Sequence, residues 1–212
     1  KAISGVMEIT GFGRFMSMVF TAALAITAAA SIYRIPSTKI TVDDAKDADE
    51  RTTLSLMDNR RQVDLHILLM MVALGMSLMA LSTNLFFLIV CLELASMASY
   101  VLVGFHKESR IGGEAGAKYF IVGSIASATG IYGMSLLYLW AGSLDFASLS
   151  ASWAAMDTLD PLAGIGVGLM LVAFGFKVSA APFHLAAPDA YSGTNAPIAG
   201  MLATASKAMG FV

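Results

Sequence analysis

A chain of 212 residues with 57% hydrophobic and 13% charged side chains and a mean hydropathy of +0.74 lies far outside the soluble globular range and reads as an integral membrane protein. Its formal net charge of −2 excludes a basic nucleic-acid footprint, and its single cysteine, Cys91, excludes a disulfide framework and a multi-cysteine metal centre. The sequence begins at Lys1 without a methionine and its last apolar segment stops at Val212 before it could cross a bilayer, so both ends read as incomplete.

A crossing helix needs roughly 20 mostly apolar residues. The first span is predicted over 12–33, followed by a polar connection, 34–62, that holds most of the charge and reads as a solvated loop. Spans two, three and four follow over 63–81, 85–105 and 114–141. Within the loop 142–160, Phe146, Leu149, Trp153 and Met156 recur at helical spacing opposite Asp145, Ser148, Ser152 and Asp157, which predicts a short amphipathic helix in the interface, with a folded extramembrane turn as the alternative. Asp160 and Pro161 then read as N-cap and first residue of a fifth span over 162–181, and a sixth begins at Pro197 and runs to Val212. Backbone groups in lipid must be satisfied within their own segment, and these lengths are too great for barrel strands. The predicted fold is therefore all-α: one polytopic transmembrane bundle over 1–212.

Basic residues prefer cytoplasmic loops. Arg34, Lys39, Lys46, Arg51, Arg60 and Arg61 precede the second span, while Lys107 and Arg110 follow the third. An alternating topology puts both groups on one side, the cytoplasm, and turns the loop 142–160, which has no lysine or arginine, outward. Gly164, Gly168 and Gly175 share a face of the fifth span, and Gly123, Ser127 and Gly130 a face of the fourth; small residues mark where helices approach closely.

Charges at membrane depth cost at least about 2.5 to 3.5 kcal/mol on insertion scales, so they face a bundle interior or a water path. Glu93 is central in the third span, with Ser96 and Tyr100 continuing its face. Lys118 is one turn inside the fourth span, Lys177 ends the fifth, and Lys207 stands near the middle of the sixth. Lys118 is also placed to snorkel to the interface; glutamate is too short for that, and Lys207 too central. At an effective dielectric near 20, unit charges about 4 Å apart interact by about 4 kcal/mol, roughly three pKa units. One acid among several lysines therefore predicts pairs whose protonation can be switched, set against the alternative of fixed ion pairs that hold helices together.

The stretch "GFKVSAAPFHLAAPDAY", 175–191, interrupts the fifth span. Pro182 cannot donate to the carbonyl of Val178, nor Pro188 to that of His184, so regular helix is expected to fail between them. Irregular backbone at membrane depth is tolerated only where it lines a cavity or is buried in protein. Lys177 thus precedes a predicted break, and His184, of unperturbed pKa about 6.5, is a candidate relay within it. A histidine satisfied by packing is the alternative.

The segments "CLELASMASYVLVGFHKESRIGGEAGAKYF" (91–120) and "FKVSAAPFHLAAPDAYSGTNAPIAGMLATASKAMGFV" (176–212), with their spacing, resemble the antiporter-like membrane subunits of respiratory complex I, of the subunit N type. The tail "ATASKAMGF" and Tyr191 favour that type; Ala186 and Asn195 depart from the tryptophan and proline common in the family. The resemblance implies an inverted-repeat fold with a broken helix at Lys177, of which this chain holds most of the first repeat. It implies that Glu93 and Lys177 are a buried pair, Lys118 an accessory lysine, Lys207 the central lysine of a proton path and His184 its gate. It also implies no cofactor or metal in this chain. NADH or a related donor, flavin, iron–sulfur clusters and quinone are expected in partner subunits of the L, M, K, J, A and H types, and the location is a bacterial or archaeal cell (inner) membrane. A subunit of a cation/proton antiporter or membrane-bound hydrogenase, and a structural spacer with inert charges, are the rival readings.

Overall fold

Chain that enters lipid closes its backbone hydrogen bonds within helices, and the computed structural model follows that rule. It describes residues 2–3, 5–32, 47–106 and 109–212, with the backbone alone at 2, 3, 48, 50, 51 and 53–60. Of the basic residues that orient the chain, Arg34, Lys39, Lys46 and Lys107 lie outside the described residues, as do the side chains of Arg51 and Arg60. A two-stranded hairpin, β1 (Ala2–Ile3) and β2 (Met7–Glu8), precedes α1 (Gly11–Ser31), α2 (Ala48–Met79), α3 (Leu85–Val103), α4 (Arg110–Ala141), the short α5 (Phe146–Ala154) and α6 (Pro161–Val178). After α6 come a 3-10 turn (Phe183–Leu185), α7 (Ala186–Ser192), α8 (Ala196–Ala203) and α9 (Ala205–Met209). Among the described residues five stretches are long and apolar enough to cross a membrane: Gly11–Ser31, Arg61–Met79, Leu85–Val103, Arg110–Ala141 and Pro161–Ser192.

The helix ends are chemically marked. Thr10 Oγ1 accepts from the Gly13 N–H at 2.9 Å, Asn84 Oδ1 from Phe86 at 2.9 Å and Asp160 Oδ1 from Leu162 at 2.8 Å, each satisfying an orphan first-turn donor. Pro161 opens α6, where its missing N–H costs nothing. Gly142 closes α4 at φ +71°, a left-handed geometry that favours glycine.

Two segments differ from the sequence expectation. The polar connection expected over 34–62 is helical from Ala48 onward, because Asp47 stands at the N-cap position and no glycine or proline intervenes before Gly75. Polarity stops a helix from entering lipid, not from propagating beyond it. The expected sixth span is divided: α8 ends at Thr204 (φ −114°, ψ −82°), whose hydroxyl donates to the Gly200 carbonyl at 2.7 Å, and α9 restarts beyond it. Back-bonding of this kind bends helices.

Close approach depends on small residues. A Cβ at Gly75 would stand 2.7 Å from the Cys91 carbonyl of α3, and one at Gly133 only 2.6 Å from the Gly166 carbonyl of α6. The buried stripe of α4 includes Gly123, Ala126, Gly130 and Gly133; that of α6 is Ala163, Gly166, Met170, Ala173 and Lys177. The glycine of α6 that packs on α4 is thus Gly166; of the predicted Gly164, Gly168 and Gly175, the first faces Leu159, the second open space and the third the Phe183 ring. Outward faces are apolar, as at Ile125, Leu139 and Leu171, which suits a lipid surround.

One end of the bundle is joined by backbone hydrogen bonds. Glu8 donates to Leu81 at 2.9 Å, Thr83 to Val6 at 2.9 Å, Leu85 to Leu144 at 2.8 Å and Phe146 to Thr83 at 3.0 Å. Asn84 Nδ2 adds a bond to Asp145 Oδ1 at 2.7 Å. There the predicted amphipathic segment forms α5, which has no buried residue and sets Trp153 edge-on to Trp140 at 5.8 Å.

Candidate functional site

Lys177 falls on the packing stripe of α6 at the spacing 3, 4, 3, 4 that starts at Ala163, so its side chain is driven into the interface with α4 rather than toward lipid. It is 4% exposed, and its ammonium has no hydrogen-bond partner among the described residues, Glu93 included. The ammonium lies 5.7 Å from the centroid of the Tyr100 ring. Tyr100, also 4% exposed, comes from α3 and packs edge-on against Tyr119 at 5.1 Å and Phe120 at 5.8 Å on α4. Gly123 makes room for it: a Cβ there would overlap the tyrosine hydroxyl and ring. Gly123 is 13 residues into α4, roughly 20 Å from its start, so this site is well inside the bundle.

Glu93 is half-buried two turns before Tyr100 on the same face. Its Oε1 accepts from Ser127 Oγ of α4 at 2.5 Å. The carboxylate does not touch the Lys177 ammonium. The two members of the expected pair therefore share one interface in an open arrangement, each with a different neighbour.

The break lies between Val178 and Ala186. Ser179 takes a left-handed conformation (φ 55°), Ala180 donates back to the Gly175 carbonyl at 2.8 Å, and the Ala181–Pro182 bond is cis. Pro188 lies inside the first turn of α7, where no intrahelical donor is required; Pro182, not Pro188, occupies the break. Lys207 of α9 answers the vacancy that Pro182 creates. Its Nζ donates to the Val178 carbonyl at 3.3 Å, with the Tyr191 ring 5.8 Å away. Gly210 permits this approach, since a Cβ there would stand 2.7 Å from Val178 Cγ1 and 3.2 Å from Lys177 Cβ. Backbone adjacent to Lys177 is thus in contact with Lys207.

Two predicted site residues are not brought to this centre. Lys118 is half-exposed and pairs with Glu114 at 2.8 Å, one turn before it on α4, and with Asp189 of α7 at 3.0 Å. His184, in the 3-10 turn, is exposed and without a hydrogen bond to either Lys177 or Lys207. Sequence reasoning missed Asp189, Glu114, Ser127 and the tyrosine rings as members of the sites. Glu114 was legible from its i,i+4 spacing to Lys118 and Tyr100 from its place on the Glu93 face; nothing local marks Asp189 or Tyr191. No cluster of three or more metal-binding side chains occurs among the described residues.

Residues 82–212 match the family model described as NADH:quinone oxidoreductase/Mrp antiporter, TM. NADH-quinone oxidoreductase subunit N of Desulfitobacterium hafniense is 45% identical over 145 residues, which are 68% of this chain and 29% of that protein. A chain of respiratory complex I from Thermus thermophilus, solved with bound aureothin, superposes with a TM-score of 0.63 at 28% identity, covering 95% of this chain and 46% of that one. A chain of the membrane-bound sulfane sulfur reductase, an archaeal respiratory membrane complex, shares the fold with a TM-score of 0.71 at 22% identity, over 99% of this chain and 39% of that one. The chain spans about a third of the length of the curated relatives it matches, 28% to 39%. With an all-α membrane bundle broken after a buried lysine and a family match that covers that lysine, the chain belongs to the NADH:quinone oxidoreductase/Mrp antiporter transmembrane family.

Proposed function

We propose that this chain is the relay-bearing part of a proton-translocating membrane subunit in a complex I type oxidoreductase of a bacterial or archaeal cell membrane. Redox chemistry belongs to partner subunits of the L, M, K, J, A and H types; this chain holds no cofactor. The observation that carries the reading is the shared interface of Glu93, Lys177 and the Lys207-capped end of α6. Glu93 and Lys177 act across the α3, α4 and α6 contact, and a charge displaced in a neighbouring subunit changes their separation. Moving one charge against 100 mV costs about 2.3 kcal/mol, which modulation of a pair at about 4 Å, worth about 4 kcal/mol, can supply. The proton leaving Lys177 passes toward Lys207, one helix end away. Lys118, with its two acids at the half-exposed face, and His184, on the exposed turn, serve as its approach and gate.

Proton pumping and electron transfer measured in vesicles holding complexes with Lys177→Ala or Lys207→Ala test the reading. Pumping is expected to fall at least tenfold in both while electron transfer persists in part; unimpaired pumping in both would overturn it. A cation/proton antiporter subunit is the second reading, because the matched family spans both kinds of protein. Sodium-dependent transport by a complex devoid of redox subunits would favour it.

A further inference from the structure

Lys177 poses a physical problem that the relay alone does not solve. Its ammonium is buried and, among the described residues, has neither a carboxylate nor a carbonyl within hydrogen-bond reach, and burying a charge without a partner is costly. What faces it is the Tyr100 ring, 5.7 Å away, in a desolvated position where the negative face of an aromatic attracts a cation most strongly. The ring itself cannot drift. Tyr119 and Phe120 meet it edge-on, and Gly123 receives its hydroxyl end. The titratable groups around this point are Glu93 and Tyr100 from α3, Tyr119 from α4 and Lys207 from α9. Of these Glu93 is engaged by Ser127 and Lys207 by the Val178 carbonyl.

We propose that Tyr100 is a positioning residue whose ring face holds the Lys177 ammonium apart from Glu93, giving the lysine a resting place when the acid–base pair is open. The inference rests on the relay reading of Lys177. It separates Lys177 from Lys207, which also approaches a tyrosine ring, that of Tyr191, but has a carbonyl to bond. Of these two lysines, Lys177 is the one that has a ring and no hydrogen-bond acceptor among the described residues.

The test replaces Tyr100 in the full-length chain of the assembled complex by phenylalanine and then by mono-, di- and trifluorophenylalanine. Each fluorine withdraws negative charge from the ring face at nearly constant volume, a change that a purely structural role would not register. Protons pumped per electron transferred are measured in vesicles, the electron-transfer rate serving as the gauge of assembly. Expected is near-normal pumping with phenylalanine and a stepwise fall with fluorine count, about tenfold by trifluorophenylalanine. A flat series would overturn the proposal, as would a loss already complete with phenylalanine, which would give the role to the hydroxyl. Gly123→Ala, which displaces the ring, is expected to reproduce the trifluoro phenotype; normal pumping in that variant also counts against the proposal. Lys177→Ala in the same vesicles distinguishes the two levels of argument. Intact pumping there removes the relay and the ring role together, whereas lost pumping with a flat fluorine series removes the ring role alone.

Discussion

Ser127 reaches Glu93 across the α3–α4 interface at 2.5 Å, and a hydrogen bond to a charged group contributes about 1.5–3 kcal/mol. Ser127→Ala is therefore expected to slow proton pumping by tenfold or more, and to add nothing in a Glu93→Gln background, because the two residues act as one unit. Additive losses in that double-mutant cycle would show that Ser127 acts elsewhere. At this scale the ionisable members of the site were legible, since a glutamate or lysine inside an apolar run is conspicuous. Their partners were legible only along a single helix. Tyr100 follows Glu93 by seven residues, but Asp189 is 71 residues from Lys118 and its side of α7 is decided by how the chain re-enters after the break.

At the scale of elements, the α4–α6 contact predicts opposite outcomes for two glycines, one on each helix. Gly133→Ala drives a Cβ to 2.6 Å from the Gly166 backbone carbonyl, which cannot yield as a side chain would, and overpacking of this sort costs about 1–3 kcal/mol. Gly168→Ala meets open space and gains helix propensity of up to about 1 kcal/mol. Thermal unfolding of the purified complex in detergent should fall for the first and hold or rise for the second; equal shifts would mean that the stripe is misassigned. Gly164, Gly166 and Gly168 alternate along α6, so composition could not tell the packing face from the lipid face. Lys177 resolves it in retrospect: counting back from a buried charge by threes and fours lands on Gly166. The division of the expected sixth span at Thr204 was not legible, because threonine backs onto its own helix as often without ending it.

For the whole molecule, alternation of the helices separates two ends. The hairpin, residues 81–84 and the start of α5 gather at one, while the turn before α4 and the chain after the break meet at the other, where Thr194 Oγ1 reaches the Leu102 carbonyl at 3.4 Å. With the basic segments cytoplasmic, a membrane-impermeant maleimide should label Ala147→Cys in intact cells and Ser109→Cys only after permeabilisation. The reverse pattern would invert the orientation. Cys91, 2% exposed, does not compete. The all-α membrane plan was the most legible level of all, because apolar runs near 20 residues suit helices and not barrel strands; five of the six expected spans have a helix long and apolar enough to cross, and their direction is what the labelling decides.

The bond from Lys207 to the Val178 carbonyl also has a place in time. Its partners are 29 residues apart, so during synthesis at about 5–20 residues per second the end of α6 is made roughly 1.5–6 s before the group that completes it. Over that interval the carbonyl that Pro182 leaves bare must be served by water or by the insertion machinery. The break at Lys177 is therefore completed late, and becomes a protein-lined interior only when α9 arrives to close it.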